Sequence, residues 1–116
     1  MATVLIVEDE PLIAEMIEEH LREAGFEIAG VAGSVEKALA MVEACHFEVA
    51  VLDVNLRGRS AQPVAMALHA RGTPFLFLSG YGRVYLPEDF LTAPLLSKPF
   101  LHKDLISAVR GVLQQK

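Results

Sequence analysis

Five short apolar runs punctuate the chain, and between them lie stretches whose apolar residues recur at helical spacing. Val4-Leu5-Ile6-Val7, Ile28 to Ala32, Val49 to Leu52, Phe75-Leu76-Phe77-Leu78 and the brief Leu95-Leu96 read as strands. Most are apolar without alternation, which suits strands buried on both faces of a parallel sheet. The second is less apolar and is interrupted by Gly30, which places it nearer an edge. A first helix is predicted over 11–24, opened by Pro11 and stopped by Gly25, with Leu12, Ile13, Met16, Ile17 and Leu21 on one face. Ser34 caps a helix that buries Ala38, Leu39 and Val42. A third helix spans roughly 60–70, with Pro63 in its first turn, Val64, Ala65 and Leu68 on its buried face, and Gly72 as its stop. The last helix carries Leu101, Leu105, Ile106, Val109, Val112 and Leu113 at helical spacing, with Asp104, Arg110 and Gln114 opposite. Between Gly82 and Lys98 the periodicity weakens, and Pro87 and Pro94 leave space for only a short helix near 87–92. Strands alternating with helices imply right-handed crossovers and a three-layer, doubly wound α/β fold.

Length and composition narrow this picture without changing it. At 116 residues the chain has room for one domain, residues 1–116, and none for a second folded module such as an output domain. Hydrophobic residues make up 53% and charged residues 22%, as a densely buried sheet requires. The single Cys45 forms no internal disulfide, and neither a signal segment nor an 18-residue apolar run is present. A cytoplasmic protein without a membrane partner is expected. A net charge of −5 argues against nucleic acid as a direct partner, because binding the phosphate backbone needs a basic face.

The candidate chemistry lies where the strands end. The first strand runs into Glu8-Asp9-Glu10, the third into Asp53, the fourth into Ser79 and the fifth into Lys98. In a parallel sheet these positions share the C-terminal edge, where ligands of open α/β folds bind. Singly, each has a plain alternative as a helix N-terminal charge, a turn residue or a surface cation. Jointly, at successive strand ends, they form a constellation. Carboxylates about 4 Å apart repel by on the order of 4 kcal/mol at an effective dielectric near 20, so the cluster calls for a cation. Oxygen ligands without His or Cys suit a hard ion such as Mg²⁺. A carboxylate beside that ion can act as a nucleophile toward phosphorus, with Lys98 and the Ser79 hydroxyl holding other phosphoryl oxygens.

The acidic pair Glu8-Asp9, Asp53, Ser79-Gly80 and Lys98-Pro99-Phe100 together resemble the receiver domain of two-component response regulators, along the whole chain. The resemblance implies Asp53 as phosphoacceptor, Asp9 as a direct Mg²⁺ ligand, Glu8 as an outer-shell one, and Asn55 as a ligand through its backbone carbonyl. It further implies that Lys98 pairs with the phosphoryl group, that Ser79 hydrogen-bonds it, and that the Lys98-Pro99 bond is cis. The strand order 2-1-3-4-5 is borrowed from the same family. Within it, Phe77-Leu78-Ser79-Gly80-Tyr81-Gly82 resembles a single-domain group with an F-A-T-G-Y-G-type motif, Leu78-Ser79 standing for its Ala-Thr. One departure concerns Leu95, three residues before Lys98, where the family usually has a switching Tyr or Phe.

The resemblance implies a stand-alone regulator that takes a phosphoryl group from a histidine kinase or a His-containing phosphotransfer protein. It would signal to a downstream protein or drain phosphate from a relay. Its only catalysis would be self-phosphorylation and self-dephosphorylation, so it is not expected to be an enzyme in the ordinary sense. A Mg²⁺-dependent aspartyl-phosphate phosphatase is the main alternative. It normally has a second Asp two residues after the first, where this chain has Asn55. A phosphorylation-independent binding module, or a small flavin-type carrier, is another. Gly80-Tyr81-Gly82 lacks the placement and third glycine of a dinucleotide fingerprint, and a full acid, Asp, Ser and Lys set speaks against a degenerate module.

Overall fold

The computed structural model describes residues 2–114. Its main sheet is formed by β1 (Thr3–Val7), β2 (Glu27–Ala32), β3 (Val49–Asp53), β4 (Phe75–Ser79) and β5 (Leu95–Ser97). These strands are parallel in the order β2-β1-β3-β4-β5. The helices are α1 (Pro11–Glu23), α2 (Val35–Ala44), α3 (Gln62–Ala70) and α4 (His102–Leu113). Every residue of β3 and β4 is buried, which explains why their sequences are apolar throughout. The two faces of the sheet support separate cores. Ile17 and Leu21 of α1 pack with Leu105, Val109 and Val112 of α4 against Val4, Ile6, Val49, Val51 and Leu76. Val35, Ala38, Val64 and Leu68 of α2 and α3 pack on Leu5, Val7, Leu52 and Phe77.

Local signals set the element ends. The Ser34 hydroxyl accepts the Lys37 N–H at 3.1 Å and caps α2, a contact worth about 1 kcal/mol. Helix α1 stops at Gly25 (φ 96°), where Phe26 N–H reaches Leu21 C=O and Gly25 N–H reaches Arg22 C=O, both at 3.0 Å. Gly72 (φ 72°) ends α3 with the same pair of bonds. On β2, the edge strand, Val4 pairs with Ile28 but Leu5 pairs with Gly30, so the register skips Ala29.

Two expectations need correction. Leu12 and Leu101 lie in the first turn of α1 and just before α4, where the helices clear the rim of the sheet. They are 81% and 61% exposed rather than buried. The segment after Asp53 is a small antiparallel hairpin, Asn55–Leu56 with Arg59–Ser60, which delays α3 to Gln62. The fourth crossover is irregular as expected, with a single 3₁₀ turn at Glu88–Phe90. It is held by buried Leu86, by Phe90 against the Phe75 and Phe77 rings, and by Arg83, whose guanidinium donates to the carbonyls of Leu91 (3.1 Å) and Ala93 (2.8 Å).

Candidate functional site

All four strand ends named by the sequence meet at one rim. Glu8 extends β1 by one residue, its N–H on Ala32 C=O, and this turns its side chain inward until it is 2% exposed. Asp53 is the last residue of β3 and is 7% exposed. Between them, Lys98 Nζ donates to Glu8 Oε1 and to Asp53 Oδ2, each at 2.8 Å. The second oxygen of each acid is also engaged: Glu8 Oε2 accepts the Glu10 N–H at 3.1 Å, and Asp53 Oδ1 accepts the Asn55 N–H at 3.1 Å. Asp9 is half-buried, and its Oδ2 accepts the Arg57 N–H at 2.9 Å. Carboxylate oxygens of Glu8, Asp9 and Asp53 lie within 4.8 Å of one another.

The remaining groups frame this cluster. Lys98 is fixed at its backbone by its N–H on Ser79 C=O (2.8 Å), and the Lys98-Pro99 bond is cis. Ser79 is buried at the end of β4, and its Oγ accepts the Tyr81 N–H at 3.0 Å, which leaves the hydroxyl proton free to donate. Asn55 is exposed, and its side-chain oxygen accepts the Gly58 N–H inside the hairpin at 2.9 Å. Leu95 lies half-buried against the β4 core, with neither hydroxyl nor ring to present at the site.

Burial decides the electrostatics. Loss of solvent pushes the Glu8 carboxyl up to about 7, with the Asp53 charge adding to the rise and the hydrogen bonds from Lys98 and Glu10 opposing it. Burial alone would lower Lys98, but its contacts with Asp53 and Glu8 outweigh that, and its ammonium is held above the usual lysine range. One cation thus serves two buried acids, and Asp9 beside them has no ion-pair partner among the described residues.

The family model of the response regulator receiver domain matches residues 4–110. The chain belongs to the receiver domain family. The receiver is 41% identical to SdrG from Sphingomonas melonis Fr1, with a TM-score of 0.85, covering 98% of this chain and 97% of that one. It is 30% identical to the response regulator PhyR from Brucella abortus, with a TM-score of 0.83, over 98% of this chain and 48% of that one. A curated relative, the transcriptional regulatory protein PdtaR of Mycobacterium tuberculosis, is 34% identical over 91% of this chain and 54% of its own length. The receiver spans about half the length of the curated relatives it matches. No helix among the described residues is long and apolar enough to cross a membrane.

Receiver domains generally bind Mg²⁺ in an acidic pocket. The residues present here fit that ion. Three acids converge with oxygen donors only, and their charge exceeds what Lys98 neutralises. Asp9 and Asp53 would hold the ion directly, with Glu8 behind them. Binding requires the acids to be ionised, so Mg²⁺ affinity is expected to fall as pH drops below about 7, where Glu8 takes up its proton. In metal-free protein the sign is the opposite. Glu8 binds its proton more tightly folded than unfolded (about 7 against 4.5), so its contribution to stability falls as pH rises through that window. Urea midpoints between pH 5 and 7.5 test this: Glu8→Gln should flatten the slope, and an unchanged slope would assign it to another group.

Two residues of the receiver's rim escape sequence reading. Arg57 contributes to the site through its backbone N–H on Asp9, a contact that only the hairpin creates. Arg83 latches the fourth crossover by bridging carbonyls eight and ten residues away. For Arg57, the Arg-Gly pair right after Leu56 is the single available signal, a weak form of the X-Gly turn signature.

Proposed function

We propose that this receiver accepts a phosphoryl group on Asp53, in a Mg²⁺-dependent reaction, from a histidine kinase or a His-containing phosphotransfer protein. The observation that carries this is the Asp53 carboxylate, buried at a strand end and fixed at both oxygens by Lys98 Nζ and the Asn55 N–H. A nucleophile held this way loses little further freedom on reaching an in-line position. One Asp53 oxygen forms the new O–P bond as the P–N bond of the donor phosphohistidine breaks. The electron pair stays on the ring nitrogen, and a donor ring already protonated at its other nitrogen leaves neutral. Lys98 and the free Ser79 hydroxyl proton are the donors available to the phosphoryl oxygens. Bound Mg²⁺ would supply charge neutralisation for the incoming phosphoryl group and for the acids themselves. Return to the starting state requires water to attack phosphorus and release the Asp53 carboxylate. In this reading the protein turns over no released substrate other than its own acyl phosphate.

A protein donor needs a surface beside the site. Ile13, Met16, Pro99 and Phe100 line a cleft of about 300 Å³ against Lys98, and the exposed Leu12 and Leu101 adjoin these residues in sequence. An apolar rim around a charged centre suits docking of a helical phosphotransfer partner. Output would run through contacts with a downstream protein, and the likeness to SdrG, matched over 97% of its chain, supports a receiver that folds as a unit. Incubation with phosphorylated phosphotransfer proteins should move the phosphoryl group onto this chain only with Mg²⁺ present. Release of inorganic phosphate from a small phosphomonoester, with no label on the protein, would favour the phosphatase reading instead.

The segment from Gly80 to Pro94 is the element best placed to carry the signal outward. It starts at the Ser79 Oγ to Tyr81 N–H contact and is anchored mainly by Leu86, Phe90 and the Arg83 latch. Tyr81 and Tyr85 stack edge-on at 5.2 Å and are 70% and 60% exposed. A segment with so few buried contacts has low local stability. When the Ser79 hydroxyl turns to a phosphoryl oxygen, hydrogen exchange is expected to change within 80–94. Changes confined elsewhere would rule this route out.

A further inference from the structure

Arg57 is the single non-glycine residue among the described residues with a left-handed backbone, at φ 53°. It is followed by Gly58 at φ 81°, so both central residues of the hairpin turn are left-handed. Such turns favour Asn-Gly, Asp-Gly or Gly-Gly. An L residue keeps this conformation where its surroundings fix it, and such residues cluster at functional sites. Here the surroundings are plain. Arg57 N–H donates to Asp9, Gly58 N–H donates to the Asn55 side chain, and Arg59 pairs with Glu36 on α2. Glycine would serve this backbone better, so what arginine adds must lie in its side chain.

That side chain folds toward the acidic rim. A Cβ placed on Gly33 would lie 4.0 Å from the Arg57 guanidinium, 3.9 Å from the Glu8 carbonyl oxygen and 4.0 Å from the Asp9 Cα. The guanidinium therefore sits over the β2–α2 loop, next to the stretch that delivers Glu8 and Asp9. It is exposed and has no ion-pair partner among the described residues. Lys98, by contrast, already gives two of its three N–H donors to acids, which leaves one for a phosphoryl oxygen. An anionic donor approaching this site meets three carboxylates whose ammonium is already shared. A free planar guanidinium matches phosphoryl and carboxyl oxygens and offsets that repulsion.

We propose that Arg57 is the specificity-determining cation that captures the anionic end of the phosphodonor, favouring doubly charged acyl phosphates over less charged phosphoramidates. This rests on Asp53 being the phosphoacceptor. The test compares wild type, Arg57→Ala and Arg57→Lys in their labelling rate per unit of acetyl phosphate at low ionic strength, with Mg²⁺ affinity measured alongside. Ala bears the same left-handed backbone as Arg, so the variants differ in charge. Arg57→Ala should label about fivefold more slowly, with Arg57→Lys close to wild type. The gap should close near 1 M salt, where the screening length is about 3 Å, and should shrink with phosphoramidate. Mg²⁺ affinity should not fall in either variant, since removing a cation beside the acids can only favour the ion. An Arg57→Ala rate equal to wild type would overturn the proposal, as would a loss of Mg²⁺ affinity in step with the rate, which would make Arg57 a holder of Asp9. Wild type unlabelled by either donor would instead overturn the phosphoacceptor reading itself.

Discussion

Lys98→Ala is expected to destabilise the metal-free protein by on the order of 3 kcal/mol, because it leaves two buried acids without their shared cation. Glu8 and Asp53 are 2% and 7% exposed, so water replaces the ammonium only in part. The same substitution should tighten Mg²⁺ binding, since the ion then meets three acids with no competing cation among the contacts that link them. Saturating Mg²⁺ should accordingly restore most of the lost stability. Binding at one hundred times the dissociation constant is worth roughly 2.7 kcal/mol by linkage. Restoration of the fold should not restore function. The phosphoryl group loses a charged donor, and labelling of Asp53 should slow by about a hundredfold. Thermal melts with and without Mg²⁺ check the first part, and labelling rates at saturating Mg²⁺ check the second. A variant as stable as wild type without metal would show that the two 2.8 Å contacts contribute nothing net to folding.

Asp53→Asn carries the largest effect on chemistry. The amide is close in shape to the carboxylate and can still accept the Asn55 N–H, so the fold should persist. It is not a nucleophile toward phosphorus, and labelling from any donor should disappear. The neighbouring acids should not substitute, because Glu8 is buried between Lys98 and the Glu10 N–H and Asp9 is turned to the hairpin. Losing one of the buried charges around Lys98 also removes the Asp53 contribution that raises Glu8, so Glu8 should titrate lower in this variant. Residual label in Asp53→Asn, stable to base but not to acid, would point to a different phosphorylated group.

The rim of this site is written in the sequence because each functional residue terminates an apolar run. The apolar runs stop at Val7, Leu52, Leu78 and Leu96, and a parallel sheet brings those ends together. Ser34, Pro11, Gly25 and Gly72 mark helix ends through local chemistry that needs no tertiary context. Other features depend on what lies beyond the chain's own neighbourhood. The exposure of Leu12 and Leu101 follows from where two helices clear the sheet, which helical spacing cannot express. Glu8 is more buried than Asp9 because it continues the strand while its neighbour leaves it, a difference of one residue in β1. The hairpin at Asn55–Ser60 escapes notice because Arg-Gly is a poor turn signature and the Asp9 contact that fixes it comes from residues far off in the chain. The Arg83 latch is a long side chain finding carbonyls of an irregular segment, for which no periodicity exists.

Peptide mapping of the phosphoryl group tests the central claim most directly. The wild-type protein is labelled by a phosphorylated phosphotransfer protein in Mg²⁺, trapped by hydride reduction of the acyl phosphate, and digested. The predicted result is reduction at Asp53 alone, abolished when Mg²⁺ is chelated before donor is added. Reduction at Glu8 or Asp9, or equal labelling with the metal removed, would contradict it.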